Sequence, residues 1–323
     1  MKYDIVIFGS GIMGAVTAFI LERRGYSVLM LEKSDGVFGG EQTLASQGIL
    51  HSGFKYLCSR RNIAIFDESL RWWKIILDSF SEDAVLSNKI SVVGEDTISK
   101  YKVWLASKLF KGNAPVFYNK GTCIVSEKVL SPEILMRNLL KETNIMRYDY
   151  NSLIKLGNCV RFKSGKEDVS IIAKHFVCAA GIGNRNLFNL IARHDVNQLE
   201  KIFKMFTIKD NFYLPKVFSH YITYNSHFSP MFTIISKMKE LYVGGNISKT
   251  DISINSFIDK LEFLKDFSES FLTYDDISYK YTRVVDGTTP YVSTVGNCTI
   301  VYPGKMVLAP YAALIVVDNI ENE

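Results

Sequence analysis

The chain is poor in cysteine, lacks a long apolar run and has no large excess of charge of either sign. Its five cysteines, Cys58, Cys123, Cys159, Cys178 and Cys298, stand far apart, with no CxxC pair and no histidine at metal-ligand spacing. An odd number so spaced argues against a disulfide framework and a structural metal site, and points to reduced thiols and a cytoplasmic setting. No metal is expected. Thirty-eight Lys and Arg against thirty-three Asp and Glu give a formal charge of +5, spread along the chain rather than gathered into a basic stripe. That is too weak to argue for a nucleic-acid partner. No window reaches the roughly 18 uninterrupted apolar residues of a spanning helix, so no transmembrane segment is expected. Composition neither requires nor excludes contact with a membrane surface. The nucleophile elbow GxSxG, the zinc motif HExxH and the phosphate-binding P-loop are all missing, and no internal repeat is present.

What is there is the balance of a globular protein, 47% hydrophobic and 22% charged over 323 residues, long enough for two lobes. The apolar stretch from Ile5 to Leu21 resembles a signal peptide in hydropathy, but it carries three glycines at defined spacing and no small-residue cleavage site. It reads instead as a strand over Tyr3–Phe8, a turn, and a helix over Ala15–Arg24 that stops at Gly25. Ser27–Leu31 then forms a second strand. Such a βαβ unit has parallel strands and a right-handed crossover.

Gly9, Gly11 and Gly14 spell GxGxxG between that strand and that helix. The first permits the tight turn, the second lets the backbone approach a pyrophosphate, and the third lets helix and strand pack closely. Ile12 and Met13 head the helix, whose N-terminus faces the phosphate charge. Glu32, eighteen residues after Gly14, ends the second strand, where a carboxylate accepts the hydroxyls of a ribose. The plainer alternative is a solvated Glu beside Lys33. FAD and NAD share this unit, whereas a carboxylate there disfavours the 2′-phosphate of NADP.

Further along, Gly36–Gly53 reads as a glycine-rich loop and Arg60–Phe80 as a helix with Trp72, Trp73, Ile76 and Leu77 on its apolar side. Pro132–Lys141 is a helix with Ser131 as its N-cap. Asn144–Ile172 reads as short strands, and Lys174–Ala180 as a buried strand ending in Gly181 and Gly183. Phe203–Val243 alternates aromatic and polar residues, as a half-exposed antiparallel sheet does. Asn255–Phe271 is expected to be helical. Arg283–Pro310 returns to strands and turns before a last helix, Tyr311–Asn319.

The segment Thr43-Leu-Ala-Ser-Gln-Gly-Ile-Leu-His-Ser-Gly-Phe-Lys-Tyr-Leu57 resembles the flavin-contacting segment of the D-amino-acid oxidase superfamily. It is most similar to the 2-hydroxyglutarate oxidase and glycerol-3-phosphate dehydrogenase branches. The resemblance continues through Val129–Leu135, Phe176–Gly183, Asp286–Pro290 and Pro303–Met306, in the family's order. It departs from the family where Pro303-Gly-Lys-Met306 replaces a glycine and histidine pair, and where the middle lobe is short.

The resemblance implies an α/β fold. A Rossmann-like FAD-binding lobe (1–80, 125–200 and 283–323) would interleave with an antiparallel-sheet substrate lobe (81–124 and 201–282). It implies non-covalent FAD held by Gly9, Gly11, Ile12, Met13, Gly14, Glu32, Lys33, Thr43, Ser46, Gln47, Gly48, Ile49, Ala179, Ala180, Gly181, Gly304 and Met306. The expected function is oxidation of a small anionic molecule at a CH–OH or CH–NH carbon by hydride transfer to flavin N5, with oxygen, a quinone or a protein as acceptor. The alternatives are a non-catalytic FAD-binding interaction protein and an NAD-linked dehydrogenase. His51 falls near the flavin ring, where an imidazole relays a proton or is simply a hydrogen-bonded structural residue. Arg283, before Asp286-Gly287, is placed to bind a substrate carboxylate, or else is a surface arginine. Lys305, in the closing turn, would stabilise negative charge on the reduced ring, or be a solvated lysine. His220 and His227, in the predicted sheet, are weaker candidates for a base.

Overall fold

Three sheets organise the molecule, each arising from a different sequence pattern. The computed structural model describes residues 1–33, 35–36, 38–54, 60–80, 82–94, 97–119, 121–196, 200–209, 220–224, 230–237, 240–245, 277–285 and 289–322; between 200 and 285 it describes strand courses and their pairing.

The predicted βαβ unit is present as β1 (Lys2–Phe8), α1 (Ile12–Arg23) and β2 (Val28–Lys33), with the two strands parallel. Ile5 to Phe8 are buried, as a central strand covered on both faces requires. The helix starts three residues before the predicted Ala15, directly at the glycine turn. It is largely apolar and correspondingly buried, with Gly14 in close approach to the Gly9 carbonyl. The segment expected to be loop holds one helical turn, α2 (Glu41–Leu44), and a short strand, β3 (Ile49–Leu50). Next, α3 (Arg60–Asp78) turns Trp73, Ile76 and Leu77 into the core.

The chain then runs through β4 (Val85–Ser87), β5 (Ile90–Gly94), α4 (Thr97–Leu109), β6 (Val116–Asn119), β7 (Thr122–Val125) and β8 (Lys128–Leu130). α5 (Pro132–Leu140) begins as its sequence demands, with the Ser131 hydroxyl accepting from the Ile134 amide at 3.3 Å. There follow β9 (Ile145–Tyr148), β10 (Ile154–Leu156), β11 (Cys159–Ser164), β12 (Glu167–Cys178) and α6 (Asn184–Ala192). The remaining elements are β13 (Glu200–Lys209), β14 (His220–Tyr224), β15 (Pro230–Lys237), β16 (Glu240–Gly245), β17 (Ile277–Val285), β18 (Tyr291–Val295), β19 (Cys298–Tyr302) and α7 (Ala309–Glu321).

In the first sheet β9, β2, β1, β12 and β19 are parallel neighbours in that order. β12 is one continuous strand where a break after Ile172 is expected. Its partner changes along its length: residues 167–172 pair antiparallel with β11, and 176–178 pair parallel with β19. One core, formed by α1, α3, α5 and α7, covers one face, and a second, with α6, covers the other. The carboxyl ends of β1, β2 and β12 therefore open on a common edge, where doubly wound sheets bind their ligands.

The second sheet runs β17-β13-β16-β15-β14-β5-β7-β6. The antiparallel pattern expected from Phe203 to Val243 is there, and β5 joins it parallel to β14, so residues 90–125 extend the same sheet. The helix expected over Asn255–Phe271 lies outside the described residues. A small third sheet, β3-β8-β4, fixes the segment after Gly48.

Candidate functional site

The glycine turn is built by contacts that leave no room for side chains. Gly9 has φ +103°, and a Cβ there would lie 2.7 Å from both the Ala179 carbonyl oxygen and the Ala180 Cα. A Cβ on Gly14 would collide with the Gly9 carbonyl. The ends of β1 and β12 are thus pressed together beneath the start of α1. That helix begins at Gly11, which has no side chain to cap it, and carries no acidic residue in its first turn, so no negative charge of its own offsets its positive end. Thr43 on α2 supports it: its Oγ1 accepts from the Ile12 amide at 2.9 Å. A Cβ at Gly11 would come within 3.3 Å of the same hydroxyl.

Glu32 is positioned by its neighbours. The Ser10 amide and hydroxyl donate to its Oε2 at 2.7 and 2.5 Å, and the Lys33 amide donates to Oε1 at 3.0 Å. The carboxylate is therefore held beside the glycine turn, where a ribose diol would reach it. Arg147 on β9 secures the loop after β2, donating to the carbonyls of Lys33 and Gly36 and stacking on Phe38 with its guanidinium carbon 3.8 Å from the ring centroid. The third wall is tied by Asn184, fully buried, which accepts from the Ala180 amide at 3.0 Å and donates to the Val301 carbonyl at 2.9 Å. Gly181 has φ +58°, and a Cβ there would meet the Gln42 side chain at 2.5 Å.

The segment Thr43–Ile49 and the closing turn Gly304–Met306 also meet. The Ser46 hydroxyl donates to the Met306 sulfur at 3.6 Å, and the Leu130 amide donates to the Gly48 carbonyl at 2.9 Å. Gly304 takes φ +70°, so the turn reverses tightly between β19 and the residues that lead into α7. α3 anchors the residue after Met306: the Trp73 indole and the Ser69 hydroxyl both donate to the Val307 carbonyl.

His51 is buried, with its Nδ1 3.2 Å from Oε2 of Glu127, a residue of the β7–β8 connection. The other oxygen, Oε1, accepts from both the amide and the hydroxyl of Ser52 at 2.7 Å. Burial alone raises the Glu127 carboxyl, but the bonds from His51 and Ser52 outweigh it and hold the group below its ordinary value. An ionised carboxylate only accepts, so the Nδ1 of His51 carries the hydrogen of this contact.

Of the residues named from sequence, Gly9, Gly11, Gly14, Glu32 and Thr43 come together at the glycine turn and His51 lies against Glu127, while Glu127, Asn184 and Arg147 are not among those named. Glu127 sits in Ser126-Glu127-Lys128, which reads as a solvated turn, and nothing local marks it. Arg283 lies on β17 opposite Ile202, and only its backbone position is described; the same holds for His220 on β14, while His227 lies outside the described residues. Burial pushes the Cys123 thiol up to about 12 and Cys178 well above its usual value, so neither is a nucleophile at neutral pH. Burial, with Lys155 adding to it, lowers His175 to about 4, and its Nε2 is bonded to the Thr299 hydroxyl at 2.8 Å, a neutral structural histidine. Among the described residues no three His, Cys, Asp or Glu side chains gather as metal ligands.

Comparison with known proteins bears on the family and the fold. Residues 4–133 match the family model described as FAD dependent oxidoreductase. A Pseudomonas aeruginosa FAD-dependent oxidoreductase is 37% identical over 76 residues, covering 22% of this chain and 19% of that protein. The mitochondrial glycerol-3-phosphate dehydrogenase of Schizosaccharomyces pombe is 29% identical over 114 residues, 34% of this chain and 17% of that protein. The matches thus span about a fifth of the length of these curated relatives. In three dimensions the solved structure of the Pseudomonas protein superposes over 100% of this chain and 91% of its own, with a TM-score of 0.74 at 20% identity. Glycine oxidase from Geobacillus kaustophilus gives 0.74 at 14% identity, over 100% and 95% of the two chains. L-α-glycerophosphate oxidase from Mycoplasma pneumoniae, solved with FAD bound, gives 0.71 at 12% identity, over 99% and 95%. At such identities the superpositions establish the fold.

Proposed function

We propose that this chain, whose residues 4–133 match the FAD dependent oxidoreductase family model, is an FAD-dependent oxidoreductase of the D-amino-acid oxidase superfamily that oxidises a small anionic molecule at a carbon bearing a hydroxyl or an amine. The observation that carries the proposal is the glycine start of α1 at Gly11, where no acidic side chain occupies the first turn and Thr43 answers only the Ile12 amide, with Glu32 fixed beside it by Ser10. That pair suits a dinucleotide: a pyrophosphate at the helix N-terminus and a ribose on the carboxylate.

In this reading FAD is held without a covalent bond. Gly9 to Gly14 and Ala179 to Gly181 line the pyrophosphate, and Glu32 and Lys33 the ribose. Thr43, Ser46, Gln47, Gly48, Ile49, Gly304 and Met306 surround the flavin end. When bound, FAD supplies the acceptor for the hydride leaving the substrate carbon. The residues do the rest. His51 takes the proton from the substrate hydroxyl or amine, while Glu127 holds its Nδ1 hydrogen and stabilises the imidazolium that forms. Arg283 receives the anionic group as a guanidinium fork, and Lys305 places a cation at the closing turn. The lobe carrying residues 81–124 and 201–282 contributes the substrate side.

The test begins with release of the cofactor by denaturation and its identification. The holoprotein is then mixed anaerobically with hydroxy acids, amino acids and polyol phosphates while flavin absorbance is followed. Bleaching by a member of these classes is expected, and Arg283→Ala should weaken that substrate by about 10- to 150-fold, the loss of a charge-assisted pair. A released nicotinamide cofactor, or a flavin that no such compound bleaches, would refute the proposal.

A further inference from the structure

Helix α4 is apolar on two sides. Ser99, Val103 and Ala106 face inward, onto the core formed with β5 and β7. The opposite side carries Ile98, Tyr101, Trp104, Leu105 and Leu109, spaced three and four residues apart on one arc. Ile98, Tyr101 and Leu109 are 58%, 60% and 61% exposed, and Trp104 and Leu105 are exposed as well. The rings of Tyr101 and Trp104 lie 5.4 Å apart, tilted by 31°, and form one aromatic plate. Single exposed leucines are ordinary, but five large apolar side chains on one outward arc of a 13-residue helix mark a docking surface.

The charge around the arc selects the partner. From residue 97 to residue 126 the chain has five lysines, at 100, 102, 108, 111 and 120, and no Asp or Glu. On the helix, Lys100 and Lys102 flank the apolar arc and Lys108 falls within it. The Lys100 stem lies against Gly121, so its charge is carried at the β6–β7 turn end of the helix. A second copy of this chain would bring like charge against like. An anionic bilayer surface meets both features at once: aliphatic and aromatic groups seat at the boundary of headgroups and acyl chains, and lysines reach the phosphates beside them. Thirteen residues are too few to cross a bilayer, which takes about 20. Among the described residues no helix is long and apolar enough to cross.

We infer that the outward face of α4 binds the surface of bilayers containing anionic lipid, with the helix lying in the plane of the interface. The purified FAD-loaded full chain is sedimented with vesicles of phosphatidylcholine alone and of phosphatidylcholine with phosphatidylglycerol. Binding to the anionic vesicles is expected, with little to the neutral ones. It should weaken as salt rises from 0.1 to 1 M and the screening length falls from about 10 to about 3 Å. Lys108→Gln should lower the binding constant about fivefold. The double variant Leu105→Glu with Leu109→Glu should abolish binding while keeping wild-type FAD content and unfolding midpoint, because both side chains point away from the core. Trp104 emission should shift to the blue on binding, read as the difference between wild type and Trp104→Phe. Failure of the wild type to bind anionic vesicles would overturn the inference, as would equal binding by the double variant. So would a concentration-dependent dimer, abolished by the double variant, in place of vesicle binding, since the face would then belong to a second copy.

Discussion

Glu127→Gln isolates the role of the buried carboxylate. The substitution is nearly isosteric, and the glutamine oxygen still accepts both donors of Ser52, each at 2.7 Å in the native protein. What changes is the contact with His51. At 3.2 Å an amide NH2 would face the protonated Nδ1, donor against donor. The loss is one hydrogen bond to a charged group, about 1.5–3 kcal/mol, offset in part if the ring adopts its other tautomer, so a net loss of roughly 1–3 kcal/mol is expected. Glu127→Ala, which also leaves the Ser52 donors unanswered, should cost about 3–5 kcal/mol. The sign of the pH dependence comes from the depressed carboxyl: the folded value lies below the unfolded one. Its contribution is therefore complete above the ordinary carboxylate value, about 4.3, and is lost as pH falls through the folded value. Urea unfolding of wild type and Glu127→Gln, followed at pH 7, 5, 4 and 3, should show the difference largest at neutral pH and shrinking in acid. With a substrate in hand, the variant should lose kcat while keeping its FAD, because the tautomer and not the cofactor site has changed. A difference below about 0.5 kcal/mol that does not vary with pH would refute this account of the pair, since it is the size expected of an inert surface change.

Three further outcomes are expected. Gly11→Val places branched carbon where a Cβ already comes within 3.3 Å of the Thr43 hydroxyl and where the pyrophosphate would approach; the purified variant should be folded by circular dichroism yet colourless, and a full flavin complement would contradict the assignment. Asn184→Ala leaves the Ala180 amide and the Val301 carbonyl without their partner, so unfolding in urea should show a loss of about 2–4 kcal/mol, and wild-type stability would show that water replaces the side chain. Acid precipitation of the holoprotein should leave flavin in the supernatant, whereas a yellow pellet would mean a covalent attachment.

The sequence alone determined the parts whose causes are local. The βαβ unit comes from a short β-rich run, three glycines at fixed spacing and a largely apolar helix, and Ser131-Pro132 sets the start of α5 through a cap formed within three residues. Glu32 could be placed because its distance from Gly14 along the chain is set by one helix and one strand. Tertiary structure decided the rest. Glu127 meets His51 across 76 residues, Asn184 meets Val301 across 117, and Arg147 meets Gly36 across 111, so each is an ordinary polar residue until the sheets bring the partners together. α4 escaped notice for a related reason. Its apolar residues lie on two opposite sides, which blurs the single-faced period that marks a helix, and only the fold distinguishes the side packed on β5 and β7 from the side left to an outside partner. β12 likewise reads as separate pieces because its partner changes midway from antiparallel to parallel, a choice made by where β11 and β19 lie and not by its own residues.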